Sequence, residues 1–380
     1  MAEFSGELGF EGRHFIHNGT FGEQQEQNVS VYLEPEWFFD WDDGKQRFLF
    51  TPFLRWDEHD SERTHVDVRE LYWQRSFDRW ELSVGLRKFF WGVTESAHVV
   101  DIINQDDGLE DLDLEDKLGQ PMVHTRWLSD AGDLDFFVMP YFRERDYAGA
   151  AGRVRPFVPV NTEAVLYESS DEENHVDWAV RWTQVLGDWD LGLAHFSGTA
   201  RDPLLLPDVI SGDFLIPYYY QIDVSSLDIQ GAKGDTLWKL EVASGDRFDG
   251  RYTSLASGLE HTLVGVFDTP VDVGLIFEYL FDDRDLDRPI FDNDIAIGAR
   301  LAFNDAQSSE LLAFSAIDVN SRAQFISVEG SRRLGDNWTA ALQMRFFSNI
   351  DDPENLDDLL DPLSSIRDDD YVELTLARHF

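Results

Sequence analysis

Apolar and polar residues alternate one by one along most of this chain. Between Phe48 and Trp56 every second residue is apolar, and Arg47, Thr51 and Arg55 occupy positions of the other set. A period of two is typical of a β-strand with one apolar face, whereas a helix repeats every 3.6 residues. Similar segments recur at 80–87, 238–242, 294–303 and 338–346. The chain is therefore predicted to be all-β.

The connections between these segments are of two alternating kinds. Short ones rich in Gly, Asp or Asn are typical of hairpin turns; they lie at 42–45, 77–79, 130–133, 187–188, 233–235, 268–270, 304–306 and 335–337. The others are mostly longer and acidic, near 93–120, 144–173, 200–216, 282–290 and 350–369. This spacing predicts about 18 strands, with about 16 as the alternative, and both termini on the short-turn side. Nothing indicates a linker, so residues 1–380 are predicted to form a single domain.

Aromatic residues near both strand ends favour a membrane barrel over a soluble sandwich, which alternates in the same way. One group follows the short turns: Trp80, Trp189, Trp238 and Trp338. The second group lies toward the opposite strand ends: Phe89, Phe90, Trp91, Phe196, Phe346 and Phe347. They are about 7 to 10 residues apart, or roughly 18–25 Å along tilted strands, which matches an outer-membrane apolar band. The four Trp, with Phe380, are predicted to form a membrane belt.

Composition limits the functions open to such a barrel. The chain has 74 Asp+Glu against 31 Lys+Arg, a formal net charge of −43, and no Cys. Nucleic acid is excluded as a main partner because phosphate contacts need Lys and Arg, and a disulfide scaffold, thiolate zinc site or Cys nucleophile is excluded as well. No apolar run is long enough for a transmembrane helix. The N-terminus has no signal-peptide features, so the chain is either cytoplasmic or a mature chain whose signal peptide has been replaced by Met.

The last ten residues carry a more specific pattern. Val372, Leu374, Leu376 and the terminal Phe380 are apolar at alternating positions. This resembles the C-terminal strand of bacterial outer-membrane β-barrels, although Arg378 stands where an apolar residue is usual. The resemblance implies a transmembrane, antiparallel, up-and-down barrel with short periplasmic turns and long acidic extracellular loops. It also implies contact with outer-membrane lipids and lipopolysaccharide, and insertion by the barrel assembly machinery through the C-terminal strand.

A weaker resemblance lies at the start of the first long connection. Trp91-Gly92 followed by Asp101 and Asn104 is similar to a loop pattern in poorly characterised proteobacterial barrels, where Trp-Gly ends a strand and Asp…Asn-x-x-Asp follows. Gln105 departs from the pattern, because Pro is common after that Asn. The resemblance implies kinship among barrels and nothing about substrate.

The connection at 93–120 is the strongest candidate for a functional segment, because loops of this length are uncommon unless functional. We expect it either to fold into the lumen as a constriction, where its carboxylates favour cations, or to remain a solvated extracellular loop.

Arg345, between Met344 and Phe346, is expected to face inward, because Arg at the bilayer midplane costs about 2–4 kcal/mol. Acidic and arginine side chains that face the lumen are expected either to form opposed basic and acidic walls or only to pair with one another. The candidate pore residues are Asp101, Asp106, Asp107, Glu110, Asp111, Arg55, Arg69, Arg87, Glu81 and Arg345.

Two other kinds of site compete with a pore. Asp106, Asp107 and Glu110 are candidate ligands for loop-bound Ca²⁺ or Mg²⁺, which prefer clustered oxygens, although the spacing is not that of an EF-hand and solubility explains such charge too. No other cofactor is expected. His195-Phe196-Ser197 resembles the His-x-Ser element of outer-membrane phospholipase and lipid A deacylase barrels, which implies a rim hydrolase; no residue that would orient the His is identifiable. Beyond this element we expect no enzymatic activity.

The sequence thus predicts an outer-membrane channel for diffusion or uptake of small hydrophilic solutes, with a preference for cations. The alternative is a plugged barrel that serves as a structural, adhesive or lipopolysaccharide-binding surface protein. The rim lipase is a third, minor hypothesis.

Overall fold

The computed structural model describes residues 1–112, 115–286, 289–354 and 360–380. Residues 113–114, 287–288 and 355–359, which belong to three of the predicted acidic connections, lie outside the described residues. The strands are β1 (Ala2–Phe15), β2 (Gln27–Trp41), β3 (Gln46–Asp57), β4 (Val66–Ser76), β5 (Trp80–Arg87), β6 (Gln120–Trp127), β7 (Asp133–Met139), β8 (Leu166–Tyr167), β9 (Asp177–Leu186), β10 (Trp189–Thr199), β11 (Leu204–Pro207), β12 (Leu215–Tyr219), β13 (Gln221–Lys233), β14 (Thr236–Arg247), β15 (Gly250–Leu263), β16 (Asp272–Asp282), β17 (Asn293–Ala302), β18 (Glu310–Asp318), β19 (Gln324–Arg333), β20 (Trp338–Ser348) and β21 (Tyr371–His379).

Helical structure is confined to short pieces. The described residues include one α-helical turn, α1 (Pro362–Ile366), and 3₁₀ turns at Glu172–Asn174 and Val266–Asp268. In the described part of the chain, no helix has the length and apolarity needed to cross a membrane.

Eighteen strands form one antiparallel sheet that closes on itself. Neighbours along the chain pair from β1 through β7, then through β9, β10 and β13 to β21, and β21 pairs back with β1. At this seam Phe15 lies opposite Tyr371, and Gly6 and Phe380 exchange two backbone hydrogen bonds of 3.1 Å. Closure leaves the sheet without a free edge. The predicted all-β, up-and-down barrel of 18 strands is confirmed, and the 16-stranded alternative is wrong.

All eight predicted hairpin turns lie at one end of the barrel, the short-turn end, which also holds both chain termini. The turn between β9 and β10 begins at Gly187, whose φ of 66° is a left-handed conformation that glycine adopts without steric cost. The opposite, long-loop end carries the acidic connections. Two of its connections, residues 248–249 and 319–323, are short, and this was not expected from the sequence.

Strands β8, β11 and β12 form a separate three-stranded sheet within the long-loop connections 140–176 and 200–220. Strand β12 pairs antiparallel with β11 and parallel with β8. The sequence predicts only acidic loops here, because these apolar runs are too short to show an alternation. The small sheet links two connections that are distant in sequence and covers one part of the long-loop end.

The two faces of the wall differ as the alternation predicts. In β20 the buried Arg345 and Phe347 alternate with the half-buried Met344 and Phe346. The outer face carries many exposed large apolar side chains, including Phe4, Leu54, Trp56, Trp127, Phe136, Trp178, Leu193, Leu275, Phe277, Ile297 and Leu374. A soluble monomer rarely exposes so extensive an apolar surface. It is the distribution expected of a wall that contacts lipid tails.

One irregularity in the wall positions a site residue. The register of β3 with β4 shifts between Thr51, which lies opposite Glu70, and Pro52, which lies opposite Val68. Proline has no N–H to donate to the ladder, so a bulge is tolerated there. The extra residue, Arg69, is only 4% exposed and contacts the carboxylate of Asp107 within the barrel.

Candidate functional site

The connection between β5 and β6, which we call the inner loop (residues 88–112 and 115–119), contacts inward-facing side chains of strands around the barrel. Its first anchor is Glu241 of β14, a fully buried carboxylate that accepts hydrogen bonds from the backbone N–H of Val93 (2.5 Å) and of Thr94 (2.8 Å). The Thr94 hydroxyl donates to the same carboxylate at 2.7 Å. A second buried carboxylate, Glu278 of β16, accepts from the N–H groups of Glu95 and Ser96 at 2.9 and 2.8 Å.

The second half of the inner loop is anchored by ion pairs to the opposite wall. Glu110 accepts hydrogen bonds from two nitrogens of Arg55, one at 3.0 Å, and Asp107 pairs with Arg69. Asp111 reaches β20, where Arg345 lies 3.0 Å away. These contacts join β3, β4, β14, β16 and β20, so the described loop residues lie inside the barrel.

The remaining loop carboxylates are paired within the same layer. Asp106 contacts Lys117 and accepts from Arg145 at 2.5 Å, and Asp101 lies 3.2 Å from Lys117. Every loop carboxylate that the sequence singled out, from Asp101 to Asp111, therefore has a Lys or Arg partner. These ion pairs hold the loop in place. Because each carboxylate is already neutralised by its partner, it attracts a passing solute only weakly.

Arg87 and Glu81, the remaining candidates from the wall, both lie on β5. Arg87 donates to Ser83 at 2.8 Å and stacks over the rings of Tyr72 and Phe89 at 4.3 and 4.6 Å. Glu81 accepts from Ser76 at 3.1 Å. In the described chain neither side chain forms an ion pair with the inner loop, which separates them from the other candidates.

A cavity of about 810 Å³ lies between the inner loop and the wall formed by β13 to β21. Of the ten candidate pore residues, only Asp101, Asp106 and Arg345 border it. Nine carboxylates line it: Glu95, Asp101, Asp106, Glu115, Asp202, Asp282, Glu310, Glu329 and Glu373. His98 lines it as well, together with seven Lys or Arg side chains: Lys117, Arg145, Arg155, Arg201, Arg284, Arg300 and Arg345. The described lining is thus only mildly acidic, unlike the chain as a whole.

His98 is a charged group of the loop that the sequence analysis missed. Its imidazole lies 3.6 Å from the Glu115 carboxylate and 3.8 Å from that of Glu241, with the ring of Phe90 edge-on at 4.6 Å. Burial alone lowers the pKa of His98, but the two carboxylates outweigh burial and raise the pKa to about 9. The side chain is therefore a cation at neutral pH.

Glu278 was missed too, although the sequence contains its signal. It stands between Phe277 and Tyr279, in a strand whose alternate residues are apolar. A lone carboxylate at an inward position of such a strand indicates a buried group with a dedicated partner. That the partner is the loop backbone is visible only in the structure.

The predicted belt residues lie near the short-turn end. Trp80, Trp189, Trp238 and Phe380 are 39–45% exposed, and Trp338 is half-buried. The expectation for the opposite belt is partly wrong. Phe196 and Trp91 belong to the buried core, Phe347 is buried, and Phe89 packs on the inward ring of Phe137 at 5.0 Å. Phe196 has inward parity in β10, and residues 89–91 belong to the inner loop. Exposed aromatics at the long-loop strand ends include Trp56, Trp178 and Phe281.

The His195-Phe196-Ser197 element lies on β10, where the buried Phe196 faces inward and its two neighbours face outward. His195 Nδ1 lies 3.0 Å from the Ser225 hydroxyl and Nε2 lies 3.2 Å from Asp223. Ser225 is the direct register partner of His195 on β13, so their contact is an ordinary cross-strand pair. The serine beside the imidazole is thus Ser225, and nothing here favours Ser197 as a nucleophile.

Two groups of oxygen and nitrogen ligands lie within metal-binding distance in the described chain: His65 with Asp107 and Glu110, and Asp292 with Asp294 and Asp318. In the first group each carboxylate already pairs with an arginine. Asp106, the third predicted ligand, contacts Lys117 instead. Ca²⁺ or Mg²⁺ binding at these positions stays a prediction.

Comparison with solved structures places this geometry in a known architecture. OccK11 (OpdR) of Pseudomonas aeruginosa aligns with a TM-score of 0.55 at 11% sequence identity, over 100% of this chain and 94% of that chain. An engineered mutant of the Rh. blastica porin aligns over 100% of both chains, with a TM-score of 0.47 and 10% identity. No family model and no curated protein sequence matches. The likeness to OccK11 concerns the fold, which is that of a bacterial outer-membrane, porin-like β-barrel.

Proposed function

We propose that the protein is an outer-membrane channel through which small polar solutes pass between the inner loop and the β13–β21 wall. The observation that carries this proposal is the cavity of about 810 Å³. It extends from Tyr252, near the long-loop end of β15, to Glu310, the first residue of β18 at the short-turn end. A hydrated path removes the cost of taking a polar solute through hydrocarbon.

We further propose a modest preference for cations. Among the described residues the lining carries nine carboxylates against seven Lys or Arg side chains and the cationic His98. Glu310, at the short-turn mouth, accepts a hydrogen bond from Ser331 at 2.8 Å and has no Lys or Arg within ion-pair distance in the described chain. A net charge of −43 adds a long-range field that attracts cations to either entrance.

The proposed setting is the bacterial outer membrane, with its lipids and lipopolysaccharide around the barrel. The apolar outer face and the Trp residues near the short turns support this setting. Strand β21, which closes the seam with β1, is the strand through which we propose that the barrel assembly machinery inserts the protein.

Planar-bilayer recording of the purified protein tests the channel. Stepwise conductance in KCl is expected, with a reversal potential across a salt gradient that indicates K⁺ selectivity. A clear Cl⁻ preference would defeat the cation proposal, and an absence of channel events would defeat the channel itself.

The second candidate is the plugged barrel, a structural or surface-binding protein that conducts nothing. It is favoured by the dense ion pairing between the inner loop and β3–β4, where Arg55 and Arg69 are both buried. Replacing residues 93–118 by a short Gly-Ser linker separates the two candidates. Conductance only after this replacement identifies a plugged barrel, whereas a channel conducts before it and conducts more current after it.

A further inference from the structure

The cavity wall changes from apolar to acidic along its length. Toward the long-loop end it is bordered by four aromatic rings: Phe291, Phe314, Phe325 and Phe347. Phe325 contacts the other three, with ring centroids 5.5 to 5.8 Å apart. The lumen side of a membrane barrel is usually polar. Three inward phenylalanines on the consecutive strands β18, β19 and β20 therefore need an explanation.

Part of the explanation is packing against a long-loop connection. Ile366 of α1 covers Phe325 and Phe347, and all three side chains are less than 9% exposed. Phe314 and Phe291 are only partly covered and remain at the cavity surface. An apolar surface that borders a hydrated path marks a place where an apolar part of a ligand is favoured.

Two neighbouring strands repeat the same order of side chains down this wall. From the long-loop end, β18 presents Phe314, Leu312 and Glu310 to the cavity. Strand β19 presents Phe325 and then, four residues further along, Glu329, which lies opposite Leu312. At about 3.3 Å per residue, each aromatic ring is roughly 13 Å of strand from its carboxylate.

The charged groups at the acidic end favour a cation as the ligand. Arg345 is fully buried and is engaged by Glu329 at 2.6 Å, by Asp111 at 3.0 Å and by the Ser327 hydroxyl. Arg300 is likewise engaged by Glu95 at 2.6 Å. Glu310 has no such partner in the described chain, and 38% of the Glu329 side chain is exposed. An incoming ammonium group thus meets Glu310, which has no ion pair in the described chain, and the exposed part of Glu329. An incoming carboxylate meets Arg300, which is 39% exposed but already paired with Glu95, and cannot reach the buried Arg345.

We propose that the strip formed by Phe314, Leu312, Glu310, Phe325 and Glu329 binds organic ammonium ions with an aromatic or alkyl body. The body lies against Phe314 and Phe291, the two rings of the cluster that remain at the cavity surface, and the ammonium group lies toward Glu310 and Glu329. The inference rests on the proposed function in one respect, namely that these ions are solutes that the channel admits. The binding site itself requires no conduction.

The test uses three probes with the full-length protein in detergent. Phenethylammonium carries both features, ethylammonium lacks the ring, and phenylacetate carries the opposite charge. Isothermal titration calorimetry is expected to give phenethylammonium an affinity up to about fivefold above that of each other probe, since a ring contact and an exposed charge pair each contribute up to about 1 kcal/mol. In planar bilayers phenethylammonium is expected to interrupt the K⁺ current, and phenylacetate is not.

Two variants test the charged contact and the aromatic contact separately. Glu310→Gln is expected to reduce phenethylammonium affinity about threefold and to leave phenylacetate unchanged, because it removes one partly exposed charge. Phe314→Ser is expected to reduce the advantage of phenethylammonium over ethylammonium. Glu36→Gln is the matched control, because Glu36 lies on β2 and does not border the cavity. Circular dichroism confirms that each variant retains its β-structure.

Each outcome bears on one proposal. Equal affinity for the three probes, or tighter binding of phenylacetate, overturns the ligand proposal even if K⁺ currents are present. Binding of phenethylammonium by a protein that shows no channel events supports the site and overturns the channel. Loss of binding in Glu36→Gln as large as in Glu310→Gln also overturns the site.

Discussion

The two halves of the lumen use similar residues for different purposes. On the side of β1 to β4, Glu11, Arg55, Arg63 and Arg69 are each at most 6% exposed and pair with one another or with the inner loop. On the side of β13 to β21, carboxylates and arginines border an open cavity. Both walls present the opposed charges that the alternation places inside. On the β1–β4 side the charges stabilise the fold, because the inner loop supplies Glu110 and Asp107 as ion-pair partners there.

The difference has an energetic basis. A buried ion is stable only when it is paired and hydrogen-bonded, so each member of the β1–β4 network depends on the others. On the cavity side, water solvates a charge that loses its partner, and single substitutions there are mild. Substitutions on the two sides are therefore expected to differ in size, and the following experiments rank them.

The largest effect is expected from Arg55→Ala. Removal of this guanidinium takes from Glu110 the arginine that it hydrogen-bonds and from Glu11 one of two close arginines, the other being Arg63, and a broken ion pair in this buried layer costs about 3–5 kcal/mol. Urea unfolding in detergent measures the loss of stability. Arg47→Ala on the same strand is the control, because Arg47 has no ion pair in the described chain, and we expect it to cost about 0.5 kcal/mol or less. Equal losses for both variants would contradict the division of the lumen.

An intermediate effect is expected from Glu241→Gln, which alters the anchor between the two halves. The amide oxygen can replace Oε1, which accepts from both Val93 and Thr94, but the NH2 group then faces the N–H of Val100, and the negative charge beside His98 is lost, at about 1–3 kcal/mol. The first part of the inner loop is then expected to detach from β14. Single-channel recordings check this through larger and noisier conductance. Conductance indistinguishable from the wild type would show that the loop is held without Glu241.

A smaller effect is expected from pH. The folded-state pKa of His98, about 9, exceeds the ordinary value of 6.5, so its stabilising charge is fully present below pH 6.5 and is lost as pH rises through 9. Current noise is therefore expected to increase between pH 7 and pH 10. In His98→Gln the neutral side chain removes this dependence, and noise is expected to be the same at both pH values. A pH dependence that persists in the variant would assign the titration to another group.

The smallest effect is expected from Glu310→Gln at the cavity mouth. Loss of one solvated carboxylate is expected to lower the K⁺/Cl⁻ permeability ratio by about twofold or less, without a loss of stability. Reversal potentials in a KCl gradient measure the ratio. Ser331→Ala, which removes the hydroxyl that donates to Glu310 but keeps its charge, is the control and is expected to leave the ratio unchanged. If Glu310→Gln lowered the free energy of unfolding as much as Arg55→Ala does, Glu310 would be a residue that stabilises the fold.

The sequence alone determined the wall of this protein. Side chains of a strand point alternately to its two faces, so local order predicts which residues face inward, including Arg55, Arg345 and Glu241. Turn chemistry is equally local, and every predicted short turn is found between consecutive barrel strands. Even the misassigned Phe196 obeys this rule, because it has the parity of the inward Ala194 and the opposite parity to Leu193.

The tertiary structure decided which charges meet. Asp111 and Arg345 are 234 residues apart, and Glu110 finds Arg55 across 55 residues. Such pairs form only after the sheet has closed and the inner loop has entered it, and with 74 acids against 31 bases no local pattern selects the partners. Closure of the barrel also decides that Glu110 is buried in an ion pair while Glu310 borders the cavity. Burial of a side chain depends on which distant residues the folded barrel packs against it.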